Sequence, residues 1–180
     1  MRNLKFIILP ILILLHAFGA KAQSGYKYVN IAGGYLTTPL NGITATLSLD
    51  FAGKYHDGFE LFAEGYRGKY TQHLSFIPDT VTKKVVNTTN TTYHHTILVG
   101  GIYKPLLTRS KNTALRMKFG GGVGSNGKDF IIAPQAGFEL SQAIGNNGFE
   151  VMLQQNNSYV FLDAQHWRSG LAIGFKIPLQ

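Results

Sequence analysis

The chain has 180 residues, no cysteine and a formal net charge of +8 at neutral pH. That length suits one domain, and the lack of cysteine excludes a disulfide framework and thiolate metal sites. The basic excess fits an anionic partner, either nucleic acid or lipid headgroups. The basic residues are scattered, however, and no run interleaves them with aromatics, so direct nucleic-acid binding is not expected.

Arg2 and Lys5 precede an apolar run from Phe6 to Leu15, and Ala20-Lys21-Ala22 forms a small-residue cleavage site. The pattern predicts a secretory signal peptide over residues 1–22, cut before Gln23. A membrane anchor would need about 20 apolar residues, and this run falls well short. The mature domain is then 23–180, still basic after losing Arg2, Lys5 and Lys21. No later stretch is apolar enough for a spanning helix, so any insertion into a membrane must use strands.

Strand signals dominate that domain: β-branched and aromatic residues alternate with small or polar ones, between clusters of Gly, Asn, Asp and Pro. Eight segments are predicted. The first is Tyr26–Leu36, followed by the turn TTPLNG. In the second, Ile43–Phe51, the residues Ile43, Ala45, Leu47, Leu49 and Phe51 oppose Thr44, Thr46, Ser48 and Asp50. AGKYHDG turns the chain into the third, Phe59–Tyr70. The polar stretch at about 74–92 reads as a long external loop extending a hairpin. The fourth segment, Tyr93–Lys104, leads through a turn at PLLTRSKN to the fifth, Ala114–Val123, where Leu115, Met117, Phe119 and Val123 oppose Arg116, Lys118, Gly120 and Gly122. SNGKD leads into the sixth, Phe130–Ser141. IGNNG leads into the seventh, Phe149–Asn156, and Trp167–Leu179 is the eighth, ending on the alternation Leu171, Ile173, Phe175, Ile177, Leu179.

One apolar and one polar face suit a soluble barrel or sandwich as well as a transmembrane barrel. Three features favour the membrane. The polar face mixes Glu60, Glu64, Arg116, Lys118, Glu139, Glu150 and Lys176 with Gly120, Gly122, Gly137 and Gly174, which fits a narrow lumen. Tyr26, Tyr28, Tyr70, Tyr93, Tyr103, Phe161 and Trp167 lie near strand ends, where interface girdles form. Short turns alternate with the long loop, so both chain ends share the periplasmic side. The expectation is an all-β, eight-stranded antiparallel up-and-down outer-membrane barrel in contact with lipid. Phe62 and Leu98 fall on the lumen face, and Arg67 and Lys69 on the outer face, so a bulge is expected in the third or fourth strand. The final strand should pair with the first and remove both sheet edges. Phe175 is the candidate for the terminal aromatic that assembly machinery reads.

No chemistry stands out. Charges inside a small barrel must be paired, which predicts a structural ion-pair plug; the sharper alternative is a proton or ion pathway. His94 and His95 are adjacent on a strand and point to opposite faces, while His56, His73 and His166 lack partners at ligand spacing, so no metal or cofactor is expected. His73 with Ser75, or His166 with Ser169 and Asp163, is the alternative of a rim-active lipid-modifying enzyme; no nucleophile motif surrounds either set. Gly120 to Lys128 lacks the Gly-Lys-Ser/Thr of a phosphate loop. Asn87 and Asn90 head sequons, and Asp79-Thr80-Val81 looks like a Bacteroidetes O-glycosylation acceptor.

Two blocks carry a family resemblance. VGGIYKPLLTRSKNTALRMKFGGGVGSNGKD, Val99 to Asp129, resembles the conjugal transfer protein TraO family of Bacteroidetes conjugative transposons, and QHWRSGLAIGFKI, Gln165 to Ile177, is similar to that family's closing strand. With VNIAGGYL, Val29 to Leu36, the likeness spans most of the mature chain. It departs at Ser125, where a loop aromatic would be expected. The resemblance implies a non-catalytic outer-membrane component of a conjugative, type IV secretion-like DNA transfer apparatus, with other envelope proteins as partners. The remaining alternatives are a general structural or adhesive barrel and a soluble ligand-binding barrel with its faces reversed.

Overall fold

The computed structural model describes residues 27–38, 41–53, 57–76, 86–161 and 166–179, with the backbone alone for 38, 70–76 and 86–90. The expected signal peptide, Tyr26, His56, Thr80 and Asp163 lie outside them. Nine strands occur among the described residues: β1 Lys27–Thr38, β2 Gly42–Ala52, β3 Gly58–Phe76, β4 Val86–Lys104, β5 Leu106–Arg109, β6 Thr113–Ser125, β7 Phe130–Ile144, β8 Phe149–Tyr159 and β9 Trp167–Leu179. Eight of them close into an antiparallel ring. β1 pairs with β9 from Lys27↔Leu179 upward, and β4 pairs with β6 from Tyr103↔Phe119 to Ile97↔Ser125. The last strand therefore does what its unbroken alternation predicts.

β5 is a short arm rather than a ninth stave. The chain continues from β4 through Pro105, whose carbonyl accepts from Met117 N at 3.0 Å. β5 pairs with β6 alone, with a register shift between Leu106 and Thr108. PLLTRSKN is thus partly strand, and the turn itself shrinks to residues 110–112.

The expected break in the third or fourth strand is absent. β3 and β4 pair without a register shift from Gly58↔Lys104 to Phe76↔Val86. Phe62 and Leu98 are simply inside, buried with Ile102, Ile131, Ala133 and Val160 in an apolar layer of the lumen. The misfit arose because the interior is not uniformly polar. A sealed barrel hides its core from lipid and water alike, so apolar side chains are as admissible there as paired charges.

The external loop is also shorter than expected, since pairing reaches Phe76 and resumes at Val86. Above Gly68, β3 pairs only with β4, and above Ile97, β4 pairs only with β3. The two strands leave the ring as a hairpin. From Gly68 to Phe76 it extends about 27 Å at ~3.4 Å per residue.

The outer face is apolar. Ile97, Ile173, Ile43, Phe175, Leu171 and Leu47 are all more than half exposed. On β9 the row from Leu171 to Leu179 rises about 21 Å along the barrel axis at a tilt of ~40°. This is close to the ~25 Å apolar band of a membrane barrel. Tyr93, Tyr103, Phe161 and Trp167 face outward near the rims. Tyr28 does not join that girdle: it is half-buried, and its hydroxyl lies 3.5 Å from Glu150 Oε1.

Candidate functional site

Alternation sends even-numbered side chains of β2, β3, β4 and β6 inward, and sheet closure brings them together. Toward the end that holds Lys27 and Leu179, Asp50 of β2, Glu60 of β3, Lys104 of β4, Arg116 of β6, Glu139 of β7 and Lys176 of β9 meet in one cluster, all buried. Register does much of the positioning, since Asp50 is opposite Glu60 and Arg116 is opposite Glu139.

Lys104 Nζ is the centre. It pairs with Asp50 Oδ2, with Glu60 Oε2 at 2.9 Å and with Glu139 Oε2 at 3.1 Å. Lys176 Nζ bridges Asp50 Oδ2 at 2.9 Å and Glu139 Oε1 at 2.5 Å. Arg116 Nη1 reaches Glu139 Oε1 at 3.4 Å and donates to Ser141 Oγ at 3.1 Å. Gln154 Nε2 donates to Glu139 Oε2 at 3.1 Å. Three carboxylates face three cations, so the cluster is neutral, as burial of charge demands.

Asp50, Glu60 and Glu139 each offer an oxygen within 4.8 Å of the others, the spacing of a cation site. The Lys104 ammonium lies among those oxygens, where such an ion would stand. The arrangement is a salt-bridge plug with a built-in cation. Chemically it can hold the staves in register; it exposes no group for reaction, because Lys104 and Glu139 are 0 % exposed.

Above the plug lies the apolar layer, in which Ile131, Ala133 and Val160 are also 0 % exposed. Arg168 caps it, with its guanidinium 4.2 Å from the Tyr66 ring centroid and Nη2 donating to Thr96 Oγ1 at 2.9 Å. An eight-stranded ring encloses room for side chains and little more.

Of the charges expected in the lumen, Glu60, Arg116, Glu139 and Lys176 join the plug. Lys118 stands near it in the fields of Glu60, Glu139 and Glu64, and Glu150 pairs with Tyr28. Asp50 and Lys104 were missing from that expected set. Asp50 was legible on the polar face with Thr44, Thr46 and Ser48; Lys104 was masked because its face also carries Leu98 and Ile102.

Among the rim residues, His166 and Ser169 are described and make separate contacts. His166 stacks on Tyr159 with centroids 5.6 Å apart, and its Nδ1 is 3.1 Å from Val160 O. Ser169 Oγ donates to Asn157 Oδ1 at 2.7 Å. Each is engaged elsewhere, while the side chains of His73 and Ser75 lie outside the described part. His94 is half-buried and His95 exposed on successive positions of β4, as their adjacency requires.

No protein-family model and no curated protein matches the chain. Among solved structures it is similar to a barrel from the de novo design of transmembrane beta-barrels, at 15 % identity over 87 % of this chain and 98 % of that one, with a TM-score of 0.53. It is also similar to the outer membrane enzyme PagL, at 15 % identity over 84 % and 99 % of the two chains, with a TM-score of 0.44. The first likeness speaks to fold alone; at its score the second carries no argument about chemistry. The chain is an eight-stranded closed barrel of the outer-membrane type.

Proposed function

We propose that this barrel sits in the outer membrane as a non-catalytic component of a conjugative, type IV secretion-like DNA transfer apparatus, its apolar belt in lipid. One observation supports the non-catalytic part: the charged groups at the base of the described lumen are buried and paired with one another, with Lys104 and Glu139 at the centre. The assignment to conjugation rests on the resemblance of Val99–Asp129 and Gln165–Ile177 to the TraO family. A component without catalysis works through what it anchors, and among the described residues the β3–β4 hairpin extends beyond the ring. Other envelope proteins of the apparatus would meet it there.

The test is a deletion strain. Transfer frequency should fall by orders of magnitude and recover with the intact gene, but not with a gene in which residues 71–91 are replaced by a short turn. That shortened protein should still insert and run as a heat-modifiable band. Unchanged transfer in the deletion strain would reject the conjugation role. A general structural or adhesive barrel is the second reading, favoured by the same projecting hairpin, and would show itself as lost surface adhesion with transfer intact. Lipid A of unaltered structure in the deletion strain is expected, and a change in its acylation would reverse the non-catalytic assignment.

A further inference from the structure

Every carboxylate on a described strand points inward: Asp50, Glu60, Glu64, Glu139 and Glu150. The outward charges on those strands are all basic. Arg67 and Lys69 stand two apart on one face of β3, both exposed, at the end of the ring away from the termini. Directly opposite them on β4 are His95 and Tyr93. The Arg67 guanidinium lies 5.3 Å from the Tyr93 ring centroid. Facing side chains on paired strands lie about 5 Å apart, so the three nitrogen-bearing groups and the phenol can converge on one tetrahedral anion.

The level of this group matters. Arg67 is flanked on β2 by Ile43, which pairs with Tyr35 of β1, and His95 stands one outward row above Ile97. The cations therefore sit at the upper edge of the apolar belt, where headgroups lie. Unpaired charge is tolerated at that depth and strongly disfavoured lower down.

A second observation lies just beneath. The next outward row across β1, β2 and β3 is Gly33, Ala45 and Gly65, which are register partners. Nothing packs against either glycine: a Cβ at Gly33 or Gly65 would find its nearest atom at 4.0 Å. Ile173 and Ile97 flank this row, and Ile43 above it and Ile31 and Leu47 below it carry full side chains. The missing bulk leaves a shallow apolar recess directly under the cations.

We propose that Arg67, Lys69, Tyr93 and His95, with the recess at Gly33, Ala45 and Gly65, bind a phosphorylated glycolipid of the outer leaflet. Its phosphate meets the cations, and the first part of its hydrophobic body lies in the recess. The proposal rests on the barrel spanning the outer membrane with its termini on the periplasmic side.

The test uses the mature protein in nanodiscs titrated with bisphosphorylated lipid A, followed by native mass spectrometry. Each basic residue near an anionic lipid surface contributes roughly 5-fold in binding. R67Q/K69Q should therefore bind about 25-fold more weakly than the unaltered protein. G65L keeps the charges and fills the recess, and should also weaken binding. K128Q removes a loop charge at the same end and should change nothing. Dephosphorylated lipid A should bind no better to the unaltered protein than to R67Q/K69Q, and inorganic phosphate should not displace the lipid. Equal binding by R67Q/K69Q, equal binding of dephosphorylated lipid A, or displacement by inorganic phosphate would overturn the proposal. Heat-modifiable migration of each variant reports the barrel separately. Its loss in the unaltered protein would overturn the membrane reading instead.

Discussion

At the scale of single residues, Lys104 decides the character of the lumen. Its ammonium partners Asp50, Glu60 and Glu139 at once. Removing one partner from a buried ionic group is far more damaging than the group's net contribution suggests, because the remaining charges stay desolvated. Lys104→Met should cost about 3–5 kcal/mol, read as a lower urea midpoint for the folded band in lipid. The three carboxylate oxygens would remain within 4.8 Å of one another, so millimolar Ca²⁺ should recover part of the loss in Lys104→Met and none of it in Glu139→Gln. A midpoint unchanged by Lys104→Met would mean that the plug does not hold the staves.

Most of the plug was legible in the sequence, and the reason is parity. Glu60, Arg116, Glu139 and Lys176 each alternate with residues that are unambiguously outward, such as Leu61, Leu115, Phe138 and Phe175. Lys104 was not legible, because β4 places Leu98 and Ile102 on the inward face and a hydrophobicity pattern then has no polar side to follow. Nor does parity say which inward charges share a height. That depends on the stagger between strands, which only the closed ring supplies.

At the scale of the element, closure depends on glycine. At the β4–β6 seam, Gly100 faces Gly122 and Gly101 faces Gly121. A Cβ on Gly120 would meet Ile102 Cα at 2.7 Å, and one on Gly100 would meet Gly122 Cα at 2.5 Å. At these glycines the strands leave no room for a side chain, which lets a narrow ring bend. Gly120→Val should therefore cost about 1–3 kcal/mol through overpacking and slow assembly of the folded band. Gly33→Val, on the open outer face, should stay within ~0.5 kcal/mol of the unaltered protein. Equal effects in urea titrations of the two variants would contradict a steric role for the seam. The glycine-rich run from Gly120 announced close packing, but the sequence could not say that its neighbour would be another glycine run on β4.

The extent of β3 and β4 was the least legible element. Residues 86–92 are Val, Thr and Asn, with neither an apolar face nor a turn signal to separate strand from loop. Beyond the ring each of these strands pairs only with the other, and the sequence there carries no periodic pattern that reveals the hairpin. Its backbone pairing is the only record of its length.

At the scale of the whole molecule, the faces are inverted relative to a soluble protein: charge is inside and apolar side chains are outside. An exposed apolar belt around the full circumference is untenable in water, where contiguous patches of more than a few hundred Å² drive association. Hydrocarbon makes it favourable, and a closed ring meets the requirement that every backbone group in lipid be paired. The single-cysteine route to testing this is open, since the chain has no cysteine of its own. Bimane attached at Leu47→Cys, Phe138→Cys and Ile173→Cys, on three staves around the ring, can be challenged with brominated acyl chains and with aqueous iodide, with Lys128→Cys as the loop control. The account predicts strong quenching by brominated lipid and little by iodide at all three belt positions, with the reverse at residue 128. Iodide quenching at the belt positions equal to that at residue 128 would contradict a membrane-spanning barrel.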